Sequence, residues 1–296
     1  MGKFKSFWKD NWIGYLFLAP WMIGLVTLTA IPMGASLYFS FTNYDMFSAP
    51  TWIGLDNYTQ LFSDEKWLES VRVTLIYVLI GVPLQLTFAL FIATLLNKGI
   101  SGLSLYRAIY YVPSLFGGSV AIAILWRQIF GGNGLINNLL SNIGIEGTNW
   151  ISNPNTALYT LIVLMIWQFG ASMVIFLAGL KQVPIELYES AKMDGASPWK
   201  QFSKITLPLI TPVVFFNLVM GIIGAFQAFT PAYIVSGGTG GPLNSTLFYT
   251  LYLYQKGFTQ FSMGYASAMA WFLLLAIAIA TAIIFATSKK WVYYQG

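Results

Sequence analysis

Long apolar stretches alternate with shorter polar ones along this chain. Six apolar stretches of roughly 20 or more residues recur, and each is long enough to cross a hydrocarbon core of about 30 Å as a helix. They cover residues 15–41, 71–96, 105–130, 156–180, 207–235 and 263–287. The pattern therefore predicts an all-α, polytopic membrane protein with six transmembrane helices. Prolines predict a break in the first stretch at Pro32 and in the fifth at Pro212 and Pro231.

The amino-acid composition supports a membrane protein. Hydrophobic residues make up 57% and charged residues 8% of the 296 residues, whereas soluble domains average roughly 45–50% and 25%. The chain has no cysteine and no histidine. A disulfide framework, a thiolate nucleophile and an imidazole base or ligand are therefore excluded. We predict no catalytic residue, no metal site and no cofactor bound by this chain, so it is not expected to be an enzyme.

Lysine and arginine are concentrated in alternate connections between the spans. Cytoplasmic loops of membrane proteins carry an excess of these residues. On one predicted side lie Lys3, Lys5, Lys9, Lys98, Arg107, Lys181, Lys192, Lys200, Lys204, Lys289 and Lys290, and on the other only Lys66, Arg72, Arg127 and Lys256. Both termini are therefore predicted to be cytoplasmic. Because topology explains the net charge of +5, no nucleic-acid partner is predicted.

The predicted organisation has three parts. Residues 1–11 form a cytoplasmic N-terminal tail, residues 12–287 the six-helix transmembrane domain, and residues 288–296 a cytoplasmic C-terminal tail. External loops are predicted at 42–70, 131–155 and 236–262, and a polar cytoplasmic loop at 181–206. No small-residue cleavage site follows the first span, which is expected to be an uncleaved helix. The chain is thus predicted to be a multi-pass protein embedded in a lipid bilayer.

The polar segment 183–208 predicts two short helices joined by a glycine turn. It reads VPIELYESAKMDGASPWKQFSKITLP. Pro184 suits the first turn of a helix, and Gly195 suits the residue just past a helix end. Ser197 is predicted to cap the second helix, which continues toward Leu207. An ordinary connection between membrane helices would explain these features alone.

The same segment resembles a known motif. It matches the pattern E-A-A-x-x-D-G-A, followed after about nine residues by I-x-L-P, with Ser190 in place of the first alanine. This pattern is the cytoplasmic coupling loop of membrane subunits of bacterial ABC importers. The resemblance implies a set of residues that contact an ATPase subunit, namely Glu186, Glu189, Ala191, Asp194, Gly195, Leu207 and Pro208.

Further motifs extend the resemblance over nearly the whole chain. They include YLFLAPW from Tyr15, GLDNYTQLF from Gly54, and the later stretches YYVPSL, ILWRQIFGGNGLINNLL, FLAGLKQVP and SGGTGGPLNST. These are similar to the sugar-importer branch typified by maltose and glycerol-phosphate permeases, although Val73 stands where that family often has Asn. The glycine-rich GGTGGP lacks the lysine and Ser/Thr of a P-loop. ATP hydrolysis is therefore expected on separate subunits.

Polar and amphipathic residues inside the spans are candidates for binding a sugar. They are Gln85, Gln168, Asn217, Gln227, Trp167 and Tyr233. Polar side chains in membrane helices more often bridge neighbouring helices. The predicted break in the fifth span favours Gln227 and Asn217. We predict substrate contacts from these two residues together with Trp167 and Tyr233.

The resemblance implies the permease subunit of an ATP-driven importer, which forms half of a translocation pathway for a carbohydrate, expected to be an oligosaccharide. The implied partners are a second, homologous permease in a heterodimer, two ATP-binding subunits that hold ATP and Mg, and an extracellular solute-binding protein. The implied location is the inner or plasma membrane of a bacterium. An acidic sugar is an open alternative to a neutral one, with Arg127 as a source of positive charge.

Two other kinds of protein would also fit six spans. A stand-alone secondary carrier or channel is the main alternative, but no Asp, Glu, Lys or Arg lies mid-span to couple protons or sodium. A membrane-embedded enzyme is less favoured, because no acid–base or metal-binding constellation is present. Neither alternative accounts for the segment 183–208.

Overall fold

The computed structural model describes residues 2–98 and 102–293, which are mostly helical. The α-helices in this part of the chain are α1 (Gly2–Leu25), α2 (Ile31–Ser40), α3 (Asp56–Leu61), α4 (Glu65–Leu96), α5 (Leu103–Phe116), α6 (Val120–Ile129), α7 (Leu135–Ser141), α8 (Ala157–Trp167), α9 (Gly170–Leu180), α10 (Ile185–Met193), α11 (Pro198–Gln201), α12 (Leu207–Leu209), α13 (Thr211–Phe226), α14 (Thr230–Val235), α15 (Tyr249–Tyr254) and α16 (Met263–Ser288). Wider π-helical turns occupy Val26–Ala30, Phe202–Thr206 and Gln255–Thr259. Two short strands, β1 (Thr42–Asn43) and β2 (Thr51–Trp52), pair antiparallel with Thr42 opposite Trp52.

Helices of membrane-spanning length confirm the predicted fold class. In the described residues, Trp12–Ser40, Glu65–Leu96, Thr211–Val235 and Met263–Ser288 are each long and apolar enough to cross a bilayer. Two further pairs of helices, α5 with α6 and α8 with α9, reach that length as bent spans. The chain is therefore a multi-pass membrane protein with four to six spans in its described part.

The first span does not break at Pro32, contrary to the prediction. The π-helical turn Val26–Ala30 precedes the proline, and the backbone N–H of Ile31 bonds to the carbonyl of Val26. Pro32 then lies in the first turn of α2, where its missing N–H is best tolerated. The chain consequently remains helical from α1 to Ser40.

The second span begins earlier than the hydrophobic pattern predicts. Helix α4 starts at Glu65 because the Asp64 carboxylate caps it, accepting from the backbone N–H groups of Lys66 at 3.0 Å and Trp67 at 3.2 Å. Residues 65–70, which lie in the predicted external loop 42–70, are thus helical. The other two predicted external loops also contain helices, α7 in 131–155 and α15 in 236–262.

The third and fourth spans are each two helices, whereas the sequence predicted one. Helices α5 and α6 are bent by 98° at residues 117–119, and α8 and α9 by 42° at residues 168–169. In the third span the break contains Gly117 and Gly118, and Ser119 caps the next helix by accepting from the Ile122 N–H at 3.3 Å. Glycines followed by a capping serine end one helix and begin another.

The fifth span is broken, as its prolines predict. Helix α13 begins at Thr211 rather than at residue 207, and the chain leaves the helical conformation again between Phe226 and Thr230. Pro212 and Pro231 lie in the first turns of α13 and α14, just after each break. The sixth span, α16, matches its predicted bounds to within one residue.

The chain divides into two compact units. The first comprises residues up to Ser63 together with Tyr254–Phe272, and the second comprises Asp64–Leu253 together with the residues from Leu273 onward. In the first unit, the Asn57 amide donates to the carbonyls of Ser40 at 3.0 Å and Thr42 at 2.9 Å. These bonds attach the loop after the first span to the end of its helix.

Helix α4 is the centre of the second unit. It packs against α8, α9 and α13, and its residues Val82, Ala89 and Ala93 have no exposed surface. Small residues at such positions let membrane helices approach closely. The candidate sites described below all lie on helices of this unit.

Candidate functional site

The segment 181–206 folds as the sequence predicts. Pro184 precedes α10, Gly195 follows it with a φ of +71°, and the Ser197 side chain accepts from the Lys200 N–H at 3.4 Å at the start of α11. The end of α10 is a complete Schellman motif, with Gly195 N–H bonded to Lys192 O at 3.0 Å and Ala196 N–H bonded to Ala191 O at 2.9 Å. Residues 185–209 contain all the residues predicted to contact an ATPase, and for that prediction we call them the coupling segment.

Side-chain hydrogen bonds within the coupling segment stabilise its conformation. The hydroxyls of Tyr188 on α10 and Thr206 on the following helical turn are 2.7 Å apart, and Thr206 is only 5% exposed. The Gln201 amide donates to Ala196 O at 2.9 Å. The Tyr188–Thr206 bond holds α10 against the chain that leads into the fifth span, and the Gln201–Ala196 bond holds α11 against the glycine turn.

Two apolar side chains, one at each end of α10, lie on its exposed face, and we call this pair the apolar stripe. Ile185 is 66% exposed and Met193 is 89% exposed, and the exposed Glu189 lies midway between them. Residues four apart share one face of a helix. Such residues on a short polar loop are typical of a surface that another protein covers.

The seven predicted coupling residues all lie in this segment, but they differ in exposure and in the helix to which they belong. Glu186, Glu189, Asp194 and Gly195 are exposed, Ala191 is half-buried, and Leu207 and Pro208 lie in α12 at the base of the fifth span. The exposed stripe runs through Ile185 and Met193, which sequence reasoning did not single out. Their hydrophobicity at solvent-facing helical positions was the available signal. Contact between the seven residues and an ATPase stays a prediction.

A cavity of about 360 Å³ lies in the second unit, where three broken spans meet. Each break contributes to its wall: Gly118 between α5 and α6, Gln168 between α8 and α9, and the turn from Ala228 to Pro231 between α13 and α14. The other lining residues are Tyr77, Gln85, Met165, Met220, Gly221, Gly224 and Ala225. Interrupted membrane helices that meet in this way are typical of transport sites.

Polar side chains from other helices satisfy the backbone at these breaks. The Gln85 amide donates to the carbonyls of Met165 at 2.9 Å and Gln168 at 3.2 Å. The Ser114 hydroxyl donates to Gln168 O at 3.0 Å and accepts from Ala171 N–H at 2.9 Å. Thr250 donates to Ala228 O at 2.5 Å. Non-helical backbone in a membrane requires such partners, because lipid offers none.

The cavity wall combines aromatic rings, amides and a hydroxyl without a formal charge. Tyr77 and Phe229 provide the rings, Gln85 and Gln168 the amides, and Thr230 a hydroxyl. Its volume is within the usual range of about 300–1,000 Å³ for small-molecule sites. Rings and neutral hydrogen-bonding groups suit an uncharged polyhydroxylated ligand.

None of the four predicted substrate residues is among those that line this cavity. Asn217 is 3% exposed and its amide donates to Val213 O at 3.0 Å in its own helix, whereas Gln227 is exposed outside the cavity. Trp167 packs on Trp126 with ring centroids 5.9 Å apart, and Tyr233 stacks on Phe229 at 5.2 Å. Their contact with substrate stays a prediction. Gln85 and Gln168, which the sequence also marked as polar residues within spans, do line the cavity.

A cluster of hydrogen bonds holds the aromatic run after the fifth span against the start of α4. The Tyr252 hydroxyl donates to the Asp64 carboxylate at 2.6 Å, and the Trp67 indole donates to the Tyr249 hydroxyl at 3.2 Å. Burial raises the pKa of Tyr252, and its hydrogen bond to the ionised Asp64 raises that pKa further. Neutral Tyr252 therefore stabilises the folded chain below the tyrosine pKa of about 10 in the unfolded chain, and this contribution is lost as the pH rises toward the higher folded-state pKa.

Comparison with known families gives a match over most of the chain. Residues 58–292 match the family described as "Binding-protein-dependent transport system inner membrane component". The chain belongs to this family. The matched range contains the coupling segment and every residue that lines the cavity, and the resemblance proposed from the sequence motifs is confirmed.

Several members of the family are similar along their whole length. The probable ABC transporter permease protein YesP of Bacillus subtilis (strain 168) is 56% identical, over 100% of this chain and 96% of that protein. The lactose transport system permease protein LacF of Rhizobium radiobacter is 31% identical, over 97% and 96%. The sn-glycerol-3-phosphate transport system permease protein UgpA of Shigella flexneri is 31% identical, over 100% of both.

Solved structures have the same fold. A chain from a bacterial alginate ABC transporter, crystallised in complex with an alginate pentasaccharide-bound periplasmic protein, superposes with a TM-score of 0.83 over 96% of both chains at 23% identity. A chain from a bacterial ABC transporter involved in the import of the acidic polysaccharide alginate gives a TM-score of 0.77, over 97% of this chain and 99% of that one, at 24% identity. The fold of this family member is therefore that of an ABC importer permease.

Proposed function

We propose that the chain is one permease subunit of an ATP-driven importer and forms half of the translocation pathway for a carbohydrate, in the simplest case an oligosaccharide. Relatives that align along their full length are named for lactose, starch degradation products and glycerol phosphate. The chain carries no P-loop. Hydrolysis of ATP, with its Mg, therefore belongs to two separate ATP-binding subunits.

The observation that carries this proposal is the exposed apolar stripe of the braced coupling segment. Ile185 and Met193 expose more than half of their surface at the two ends of the short helix α10, which also carries two glutamates and a lysine. A groove on an ATPase subunit would bury both side chains and receive Glu189 between them. Because α10 is bonded to the turn that precedes α12, a movement of that subunit would be passed on to the fifth span.

The uncharged cavity at the three helix breaks supports a neutral sugar as the cargo of this subunit. Tyr77 and Phe229 offer faces for a pyranose ring, and the Gln85 and Gln168 amides offer hydrogen-bonding groups beside it. The second permease of the heterodimer would complete the pathway, and an extracellular solute-binding protein would deliver the sugar. For an acidic sugar, Arg127 or the second permease would have to supply positive charge.

The orientation that this function requires agrees with the distribution of lysine and arginine. Eleven of the 15 basic residues lie on the side of the coupling segment. With that side in the cytoplasm of a bacterium and the chain in its inner or plasma membrane, α10 faces the ATPase subunits. The first span, Trp12–Ser40, exposes apolar side chains along its length, among them Phe17 at 81% and Leu28 at 79%, as lipid or the second permease requires.

Charge placed on the α10 stripe tests the proposal. Ile185→Glu and Met193→Glu remove exposed apolar contacts and break no bond within the chain, and a glutamate at the first residue of α10 also suits the helix dipole. We expect each variant to lower sugar-stimulated ATP hydrolysis by about tenfold or more, as for a central interface residue. Co-purification of the ATPase subunits and hydrolysis in proteoliposomes would be measured for the assembled importer.

Two comparisons make the test specific. Leu139→Glu, at a residue of α7 that is 55% exposed outside the coupling segment, should leave ATPase co-purification unchanged. Gly195→Leu should impair coupling because its backbone is left-handed, whereas Gly195→Asn should be tolerated, since asparagine adopts that conformation readily. If Ile185→Glu and Met193→Glu retained full coupling, the segment would be only a connection. Uptake independent of ATP would favour the secondary carrier.

A further inference from the structure

Part of the Arg107 guanidinium is buried in the transmembrane domain, and the half-buried side chain has no counter-charge among the described residues. Its Nε and Nη2 atoms are inaccessible and have no hydrogen-bond partner among the described residues. The ion pair found in the described part of the chain joins Arg72 and Glu69 instead. A guanidinium stays protonated in proteins, and leaving such a charge unpaired in a low-dielectric region is strongly unfavourable. The third nitrogen, Nη1, is not enclosed in this way and is the atom that an acceptor from outside the chain can reach.

A cavity of about 380 Å³ lies beside this guanidinium. Its wall is formed by Arg107, Ala108 and Tyr111 of α5 and by Ala171, Val174 and Ile175 of α9. Arg107 is the cavity's one charged lining residue, and the facing wall on α9 is wholly apolar. A ligand that fits must therefore carry an anion at one end and tolerate hydrocarbon around the rest of its surface.

The surroundings of the cavity indicate that the ligand comes from the bilayer. Leu105, Ile109 and Val112 of α5 are between 46% and 63% exposed, which is typical of a lipid-facing helix. Arg107 lies four residues past Leu103, so about 6 Å of helix separates it from the start of α5. Arginine at this depth reaches the boundary between head groups and acyl chains.

From these observations we propose that Arg107 binds the phosphodiester of an anionic phospholipid, whose acyl chain occupies the cavity between α5 and α9. The guanidinium is a planar fork of N–H donors, and its accessible Nη1 can donate a charge-assisted bond to the phosphate. Tyr111 places an aromatic side chain with a hydroxyl group at the same wall. The apolar wall offers nothing to a free inorganic anion, and so a lipid is preferred over soluble phosphate.

The test measures lipid retained by the full chain, purified with the subunits that accompany it. Native mass spectrometry in nanodiscs of phosphatidylglycerol and phosphatidylethanolamine would count bound phosphatidylglycerol for four proteins: wild type, Arg107→Gln, Arg107→Lys and Arg72→Gln. We expect about tenfold or more weaker retention in Arg107→Gln and a smaller loss in Arg107→Lys, which keeps the charge but not the fork. Arg72→Gln, the matched control, should retain lipid like the wild type.

Other outcomes would overturn the proposal. Equal lipid retention by Arg107→Gln and Arg72→Gln would show that the lipid does not bind at Arg107. Displacement of the lipid by millimolar inorganic phosphate would show that the site binds a free anion. Loss of another subunit from Arg107→Gln with lipid retention unchanged would assign the acceptor to that subunit. If Arg107→Gln does not yield monodisperse protein, the comparison of Arg107→Lys with Arg72→Gln decides.

Discussion

Gly170 lies where α5 and α9 approach more closely than side chains allow. A β-carbon at this position would overlap the backbone oxygen of Tyr110 and lie 2.8 Å from the Ser114 hydroxyl oxygen. The Ser114 bonds to the backbone of Gln168 and Ala171 depend on the same approach. One missing side chain thus permits both the helix contact and the hydrogen bonds at the break in the fourth span.

Gly170→Ala should therefore lower the stability of the folded chain. Forcing a methyl group into a filled contact typically costs about 1–3 kcal/mol, and the backbone of Tyr110 cannot rotate away as a flexible side chain would. Thermal unfolding of the purified protein in detergent would measure the change as a lower midpoint temperature.

Gly224→Ala is the matched control for this change. Gly224 also lies in a span, in α13, but a β-carbon there has no neighbour within 4 Å. Its replacement should leave stability unchanged or raise it by up to about 1 kcal/mol, because alanine favours a helix over glycine. If the two alanine variants unfolded at the same temperature, the close approach at Gly170 would not contribute to stability.

At the scale of whole elements, the break between α8 and α9 is stabilised by other helices. Gln85 comes from α4 and Ser114 from α5, and both bond to the carbonyl of Gln168. Those partners are 83 and 54 positions away in the sequence. The hydrophobic pattern of residues 156–180 contains no trace of them, and it therefore predicted a continuous helix.

Gln85→Leu should destabilise the protein more than Asn217→Leu. The first change removes one donor each from the carbonyls of Met165 and Gln168, which keep their bonds from the Gln168 N–H and the Ser114 hydroxyl. The loss of a hydrogen bond typically costs about 0.5–1.5 kcal/mol. Asn217 donates only within its own helix, to Val213 O. Its replacement therefore leaves no polar group of another element without a hydrogen-bond partner. Unfolding midpoints of the two variants, measured side by side, would check this order.

Transport assays of the same variants separate stability from substrate binding. A variant that keeps its midpoint temperature but loses sugar uptake would place that residue at the substrate. Reduced uptake by Asn217→Leu at unchanged stability would support the role predicted from the sequence. A larger loss of stability in Asn217→Leu than in Gln85→Leu would contradict the account of the break.

The coupling segment could be predicted in detail, in contrast to the break at Gln168. Pro184, Gly195 and Ser197 act on backbone groups within a few residues of themselves, so local rules suffice. The break in the fifth span was also predictable, since Pro231 marks it in the sequence. The cavity was not, because it requires three breaks to coincide in space and only one of them has a local proline signal.

For the whole molecule, the decisive expectation is its orientation in the membrane. A reporter active only in the cytoplasm should be active when fused after Lys192 and inactive when fused after Asp56 or Gly240, because basic residues are concentrated on the side of Lys192. An enzyme reporter active only outside the cytoplasm provides the reciprocal control at the same three positions. An active cytoplasmic reporter at Asp56 would reverse the orientation and place α10 outside the reach of an ATPase.

The hydrogen bonds at the bend of the fourth span also limit how this protein can move. Straightening the 42° angle between α8 and α9 would strain the bonds from Gln85 and Ser114 together, because both reach the backbone at the bend, and lipid offers no partners to replace them. The bend is therefore a rigid feature of the fold and not a hinge. When the pathway opens and closes, α4, α5, α8 and α9 have to move together as one rigid body. The conformational change then occurs at other positions in the chain.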